Sequence, residues 1–227
     1  MSAERTRIAV RRHPERGVYE RAVVDAILDE AIYCHVGFVH DDRPFVIPTI
    51  HARVDDVLYL HGAPASRMLR ELAAGIDVCV TATLLDGLVL ARSLYNHSLN
   101  YRSVVVLGRA RTVEAEEKAR ALAAIVDHVV PGRARDARAA TDKELAGTRV
   151  LAVPISDASA KVRTGPPSDF EADLALATWA GVVPLGTVAG EPETDERVPA
   201  GVEVPAYVST YRRPVEARRA NEVGDEG

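Results

Sequence analysis

Apolar positions change period several times along the chain, and each change marks a boundary. Between Glu20 and Glu30, with Ala31 just beyond, Val23, Val24, Ile27 and Leu28 recur at three- and four-residue spacing, which predicts an amphipathic helix with an acidic outer face. Ile32 to Val39 is short, apolar and β-branched. Asp41-Asp42-Arg43-Pro44 reads as a turn, Phe45 to Val54 as a strand, Asp55-Asp56 as a tight turn and Val57 to His61 as the return strand, together a three-strand meander. In that register His51 pairs with Leu60 and faces away from His61, so the two cannot share a metal. Gly62 to Ala65 breaks the pattern. Ser66 then caps a short helix carrying Met68, Leu69 and Leu72 on one face and ending at Gly75.

Ile76 to Leu84 alternates as a strand, Asp86-Gly87 turns the chain, and Leu88 to Leu94 reads as a further strand. A polar interruption follows from Tyr95 to Asn100. Tyr101 to Thr112 is a long strand in which Gly108 predicts a bulge or bend. Glu114 to Val130 is the clearest helix, with an apolar stripe through Ala119, Leu122, Val126 and Val129 and three glutamates in its first turn. Thr141 to Leu145 predicts a helical turn, Arg149 to Ile155 and Ala160 to Arg163 two last strands, and 168–180 a short helix. The proline-bearing tail from Pro184 is expected to be extended. Seven or so strands joined mostly by tight turns, with three helices between them, predict a mainly β, antiparallel barrel with helical insertions.

Composition narrows the function classes. The chain has 227 residues, 28 Lys and Arg against 33 Asp and Glu, and a formal net charge of −5, without the basic excess of a general nucleic-acid binder. There is no apolar run long enough to span a membrane and no signal-peptide pattern, so the expectation is a cytoplasmic protein. Aromatics are few: 7 Tyr, 3 Phe and 1 Trp, which leaves Val, Leu, Ile and Ala to build the core. Cys34 and Cys79 sit inside strand patterns and read as buried, unreactive thiols.

Three stretches carry candidate chemistry. His61-Gly62-Ala63-Pro64-Ala65-Ser66-Arg67 leads from a strand end to a helix start, with a hydroxyl and a forked cation suited to phosphate. Tyr95-Asn96-His97-Ser98-Leu99-Asn100-Tyr101-Arg102-Ser103 is a polar cluster between apolar strands, expected either to line a ligand site or to be hydrogen-bonded structure. Lys161 and Arg163 flank Val162, projecting two cations from one strand face. Trp179 precedes a glycine and an extended tail, a setting that allows it to lie across a neighbouring subunit. Neither H-E-x-x-H nor C-x-x-C is present.

Taken in order, Arg43-Pro44-Phe45-Val46-Ile47-Pro48-Thr49, Leu58-Tyr59-Leu60-His61-Gly62 with Ser66-Arg67, Asn100-Tyr101-Arg102-Ser103-Val104, Lys161-Val162-Arg163-Thr164-Gly165 and Trp179-Ala180-Gly181-Val182 resemble the flavin-nucleotide-binding proteins related to pyridoxamine 5′-phosphate oxidase, in the branch that includes nitroimidazole-resistance proteins. The resemblance implies a six- to seven-stranded split β-barrel over residues 15–190, a flexible arm at 1–14 and an extended tail at 191–227. It further implies a homodimer with FMN at the subunit interface. Val46, Ile47, Pro48 and Thr49 would pass the flavin ring. His61, Gly62, Ser66 and Arg67 would hold the phosphate end, and Asn100, Tyr101, Arg102, Ser103, Lys161 and Trp179 would complete the site. Related barrels bind the deazaflavin F420 or haem, and His61 and His97 are the candidate haem ligands. The oxidase's C-terminal Arg-Leu-His-Asp-Arg motif is missing, which argues against pyridoxamine phosphate oxidation. The expected activity is therefore flavin-dependent oxidation or reduction of a small molecule, with His97 and Tyr101 as candidate catalytic groups. The alternatives are a non-catalytic flavin or haem sensor and an F420-dependent reductase; a metal-dependent hydrolase is disfavoured.

Overall fold

A computed structural model describes residues 7–212. Its frame is one antiparallel sheet of ten strands: β1 Gly17–Val18, β2 Tyr33–His40, β3 Arg43–Val54, β4 Val57–Gly62, β5 Asp77–Leu90, β6 Ser98–Arg109, β7 Arg111–Val113, β8 Arg149–Pro154, β9 Asp157–Arg163 and β10 Gly181–Pro184. The strand order is β1-β9-β6-β5-β2-β3-β4-β8-β7, with β10 paired to β5 outside this path. The sheet curls around a core without closing, so the mainly β, antiparallel architecture expected from the pattern is the one observed, as an open barrel. Strands of two to four residues (β1, β7 and β10) account for the excess over the sequence count.

The β2–β3 turn holds Asp41 and Asp42 at φ of 48° and 57°, the left-handed pair that matches the twist of a two-residue hairpin. The β3–β4 hairpin has the expected register, with His51 opposite Leu60 and Val54 opposite Val57. Three expectations change. The segments read as separate strands on either side of Asp86-Gly87 form the single strand β5, and the chain passes Asp86 as a register shift rather than a reversal. The bulge is therefore in β5, whereas Gly108 pairs regularly with Val78; the bend on that side follows at Ala110, between β6 and β7. A Cβ on Gly87 would lie 3.0 Å from the Val183 carbonyl oxygen, so the missing side chain is what lets β10 approach. The expected helix within 168–180 reduces to one turn at Glu171–Asp173.

The helices whose bounds lie among the described residues are α1 Arg21–Glu30, α2 Arg67–Ala73, α3 Ala115–Val129, α4 Arg133–Asp136, α5 Asp142–Ala146 and α6 Ala206–Ser209. The side of α1 bearing Val24, Ile27 and Leu28 enters the main core with Cys34, Val36 and Phe38 of β2, Val78 and Val80 of β5, and Val104 and Val106 of β6. A second cluster joins Ala121 and Ile125 of α3 to Ala52, Tyr59 and Val150. Cys34 is buried, which pushes its thiol up to about 12, and burial raises Cys79 as well, in keeping with unreactive thiols. Extended chain beyond β10 ends at α6, where Tyr207 bonds Arg133 at 3.2 Å and Tyr211 bonds the Val129 carbonyl at 2.9 Å. No helix among the described residues is long and apolar enough to cross a membrane.

Leu28 is fully buried at the centre of the α1–sheet contact. Leu28→Ala is expected to destabilise the fold by roughly 3 kcal/mol in urea denaturation, through lost transfer energy and a residual cavity.

Candidate functional site

Strand alternation sorts the barrel wall into two faces. Cys34, Val36 and Phe38 point inward, where Phe38 stacks on Phe45 at 5.7 Å between ring centroids. The outer face carries the other parity. Gly37 lies opposite Val46, His35 opposite Pro48 and Thr81, and Tyr33 opposite Ile50. On the same face Thr83 is level with Ser103, and Ser103 with Lys161. This surface is apolar at β3 and hydroxyl-rich towards β6 and β9. Val46 is 64% exposed and Tyr33 55%, unusual values for strand residues this close to the core. Of the predicted ring-contacting residues, Val46 and Pro48 belong to it, while Ile47 and Thr49 have the opposite parity, level with Val36 and Cys34, although Ile47 is still exposed.

Arg67 stands at the junction of β4 and α2. Its guanidinium lies over the Phe45 ring, 4.8 Å from the centroid, and no carboxylate among the described residues pairs with it. Ser66 precedes α2 but makes no side-chain cap, and α2 has only seven residues, so the cationic group offered here is Arg67 and the helix adds no anion site of its own. Gly62 is needed here for space: a Cβ would come within 3.1 Å of Leu69 Cδ1. His61 is half-buried with Nδ1 enclosed and unpartnered, and burial lowers its pKa, favouring the neutral ring. Across the strand, His40 is held between Glu71 at 2.9 Å and Asp41 at 3.4 Å.

The polar stretch 95–103 divides three ways. Arg102 is bidentate to Glu30 at 2.5 and 2.7 Å and bonds Asp86 at 2.8 and 2.9 Å, so its charge is fully matched; the Asp86 and Glu30 hydrogen bonds raise its pKa further. Asn100 is buried, accepting from Arg163 and donating to the Gly165 carbonyl at 3.1 Å. Tyr101 is half-buried between Leu85 and Arg163 in the ladder, and Ser103 Oγ lies 3.4 Å from the Lys161 carbonyl. Arg67, Arg102, Lys161 and Arg163, which looked in the sequence like the parts of one cationic pocket, are therefore not brought together within a chain.

His97 follows a single helical turn, Leu94–Asn96. Its Nδ1 lies 2.9 Å from the Ser93 carbonyl oxygen. A carbonyl only accepts, so Nδ1 carries a proton, and in the neutral ring the lone pair is then on Nε2. Beside it Leu94 is 97% exposed and Tyr95 83%, and Tyr95 stacks on the exposed Phe170. Trp179 is 67% exposed and folds back over Gly181, where a Cβ would lie 2.9 Å from the indole. Sequence reasoning had named Tyr95 and Trp179 but not Phe170, His35 or Tyr33; Phe170 joins only through tertiary packing, and the outer face of β2 emerges only once the register is known.

The sequence model described as pyridoxamine 5′-phosphate oxidase matches residues 20–162. The chain belongs to that family. Among solved structures, the flavocytochrome Anf3 from Azotobacter vinelandii is 41% identical, with a TM-score of 0.87 over 93% of this chain and 99% of that one. The FAD and heme binding protein from Mycobacterium smegmatis is 39% identical, with a TM-score of 0.82 over 85% of this chain and 95% of that one. A candidate 5-nitroimidazole antibiotic resistance protein from Bacteroides thetaiotaomicron is 26% identical over 64% of this chain and 86% of that one, with a TM-score of 0.54. No curated protein matches significantly. The nitroimidazole-resistance resemblance thus holds at a lower level than the likeness to the first two structures within the same family.

The two arginines separate experimentally. Arg102→Ala strands Glu30 and Asp86, and is expected to cost roughly 3 kcal/mol or more in denaturant unfolding. Arg67→Ala removes an exposed, unpaired group and is expected to stay within about 0.5 kcal/mol of the parent.

Proposed function

We propose that this family member is a flavin- and haem-carrying redox protein, built as a homodimer with its flavin on the outer sheet face. What supports the reading most is the near-complete alignment, at about 40% identity, with two chains whose names carry flavin and haem. The flavin we favour is FAD, which the M. smegmatis name specifies; FMN, implied by the family resemblance, is the second form, and the mass of extracted flavin decides between them.

The residues fit such groups. Val46 and Pro48 offer an exposed apolar run of β3 for a flavin ring, Arg67 an unmatched cation for its phosphate, and Gly62 the close backbone approach. His61, kept neutral by burial, adds an imidazole at that end. For haem, His97 has the required form: Nδ1–H is tied to a carbonyl and Nε2 is free, the arrangement that fixes metal-binding histidines. Leu94, Tyr95 and Phe170 give it an apolar, aromatic surround. Bound flavin and haem would supply the electron transfer; the chain's part is to position them, exclude water and set the nearby charge. The exposed apolar side chains of β3 and of the Leu94–Asn96 turn support a second copy as the cover for this face. Ser103 stands level with Lys161 and Tyr101 with Arg163 on the hydroxyl-rich side, where a small substrate would meet the flavin.

The protein as purified is expected to be coloured, with flavin bands and a Soret band together. His97→Ala is expected to lose the Soret band while keeping its flavin. A colourless protein that takes up neither cofactor would refute the assignment. A variant retaining an unaltered Soret band would remove His97 as the ligand. Reduction of a small acceptor by the loaded protein with NAD(P)H separates an oxidoreductase from a binding or sensing module.

A further inference from the structure

We propose that the cleft between the Pro14–Arg16 turn and the end of β9 binds a small organic anion, its carboxylate or phosphate group held by the Arg16 and Arg163 guanidinium groups. The cleft has a volume of about 340 Å³ and is lined by Arg16, Arg163, Thr164, Pro166, Pro167 and Ser168, with Val162 at its base. Two guanidinium groups line it, and no carboxylate does.

Arg163 is the informative residue. It is only 7% exposed, yet its hydrogen-bond partners among the described residues are all neutral. One terminal nitrogen donates to the Asn100 side-chain oxygen and to the Gly165 carbonyl at 3.3 Å, and the other to the Pro166 carbonyl at 3.1 Å. These use three of five N–H donors. Burial disfavours the Arg163 charge, and Arg16 disfavours it further. Buried charges in folded proteins are ordinarily paired, and this one lacks an acidic partner among the described residues.

The nearest acids are committed elsewhere. The Asp169 carboxylate is committed to Arg92, accepting from its guanidinium at 2.7 Å and from its backbone N–H at 2.9 Å. Glu15 bonds His13 at 3.0 Å, lies 3.7 Å from Arg16 and is largely exposed. A planar oxyanion matches the guanidinium fork and supplies the missing charge. The two prolines and Val162 give an apolar wall, and Thr164 and Ser168 contribute hydroxyls, which together suit an organic anion better than a bare ion.

This site is separate from Arg67 within the chain. Asp157, at the other end of β9, is level with Leu107, Cys79, Gly37 and Val46, close to the β3 end that Arg67 covers. Arg163 lies six residues further along β9, about 20 Å at the rise of a strand. The inference therefore stands without the flavin reading.

Isothermal titration of the purified, cofactor-loaded protein with citrate, pyrophosphate and inorganic phosphate tests it. One equivalent of at least one anion per chain is expected to bind, and the preferred probe tells carboxylate from phosphate. Arg16→Ala is expected to weaken binding at least tenfold. Arg16→Glu, which gives Arg163 an internal counter-charge, is expected to abolish it, and Arg197→Ala, at an exposed arginine of the tail, to leave it unchanged. Arg16 sits on a surface turn, so both Arg16 variants are expected to keep the parent's unfolding midpoint without ligand. Failure of all three anions to bind, equal binding by Arg16→Ala, or equal weakening by Arg197→Ala would overturn the proposal.

Discussion

The Arg102 guanidinium, shared between Glu30 and Asp86, fixes where the main helix sits in this barrel. Arg102 lies on β6, Glu30 on the last turn of α1, and Asp86 at the register shift in β5. One side chain thus ties the end of the helix to the longest hairpin. Ion pairs this enclosed add little net stability over apolar packing, but they are costly to break, and they admit one arrangement of the helix over the sheet. With α1 held there, Val24, Ile27 and Leu28 fill the inside of the barrel. The alternate positions of β2, β3, β5 and β6 are left facing outward.

That division of labour explains the scarcity of aromatics. The inner core is mostly aliphatic, closed by the Phe38–Phe45 stack, while Tyr33, Tyr95, Phe170 and Trp179 are exposed. Large rings on the outer surface, the His97 imidazole tied to a carbonyl at one end of the sheet, and at the other end an arginine that pairs with no acid among the described residues describe a surface made to be covered. In our reading the covers are the flavin, the haem and a second copy of the chain. Arg102 and Arg67 illustrate how one residue type serves both ends: matched by acids it is structure, and unmatched it is, in our reading, a binding group.

The sequence made much of this legible, for physical reasons that differ between residues. The β3–β4 register followed from a two-residue turn, because strand parity leaves no freedom once the turn length is set, and His51 opposite Leu60 came out as expected. Helix α1 was visible in its spacing. The single strand across Asp86 was not, because Asp-Gly is also the commonest hairpin signal, and what overrides it is β10 pairing alongside. Arg102 looked like a cofactor ligand because its two acidic partners are 72 and 16 residues away. Phe170 was invisible as a site residue because only its stacking on Tyr95 places it there.

The account turns on Arg67 being the cation kept free for a phosphate. Quenching of flavin fluorescence on titration of apoprotein reads this directly, comparing FAD, FMN and riboflavin in the parent and in Arg67→Ala. The account requires the variant to lose at least tenfold in affinity for FAD and FMN and little for riboflavin, which has no phosphate. Equal losses for all three flavins, or none, would contradict it.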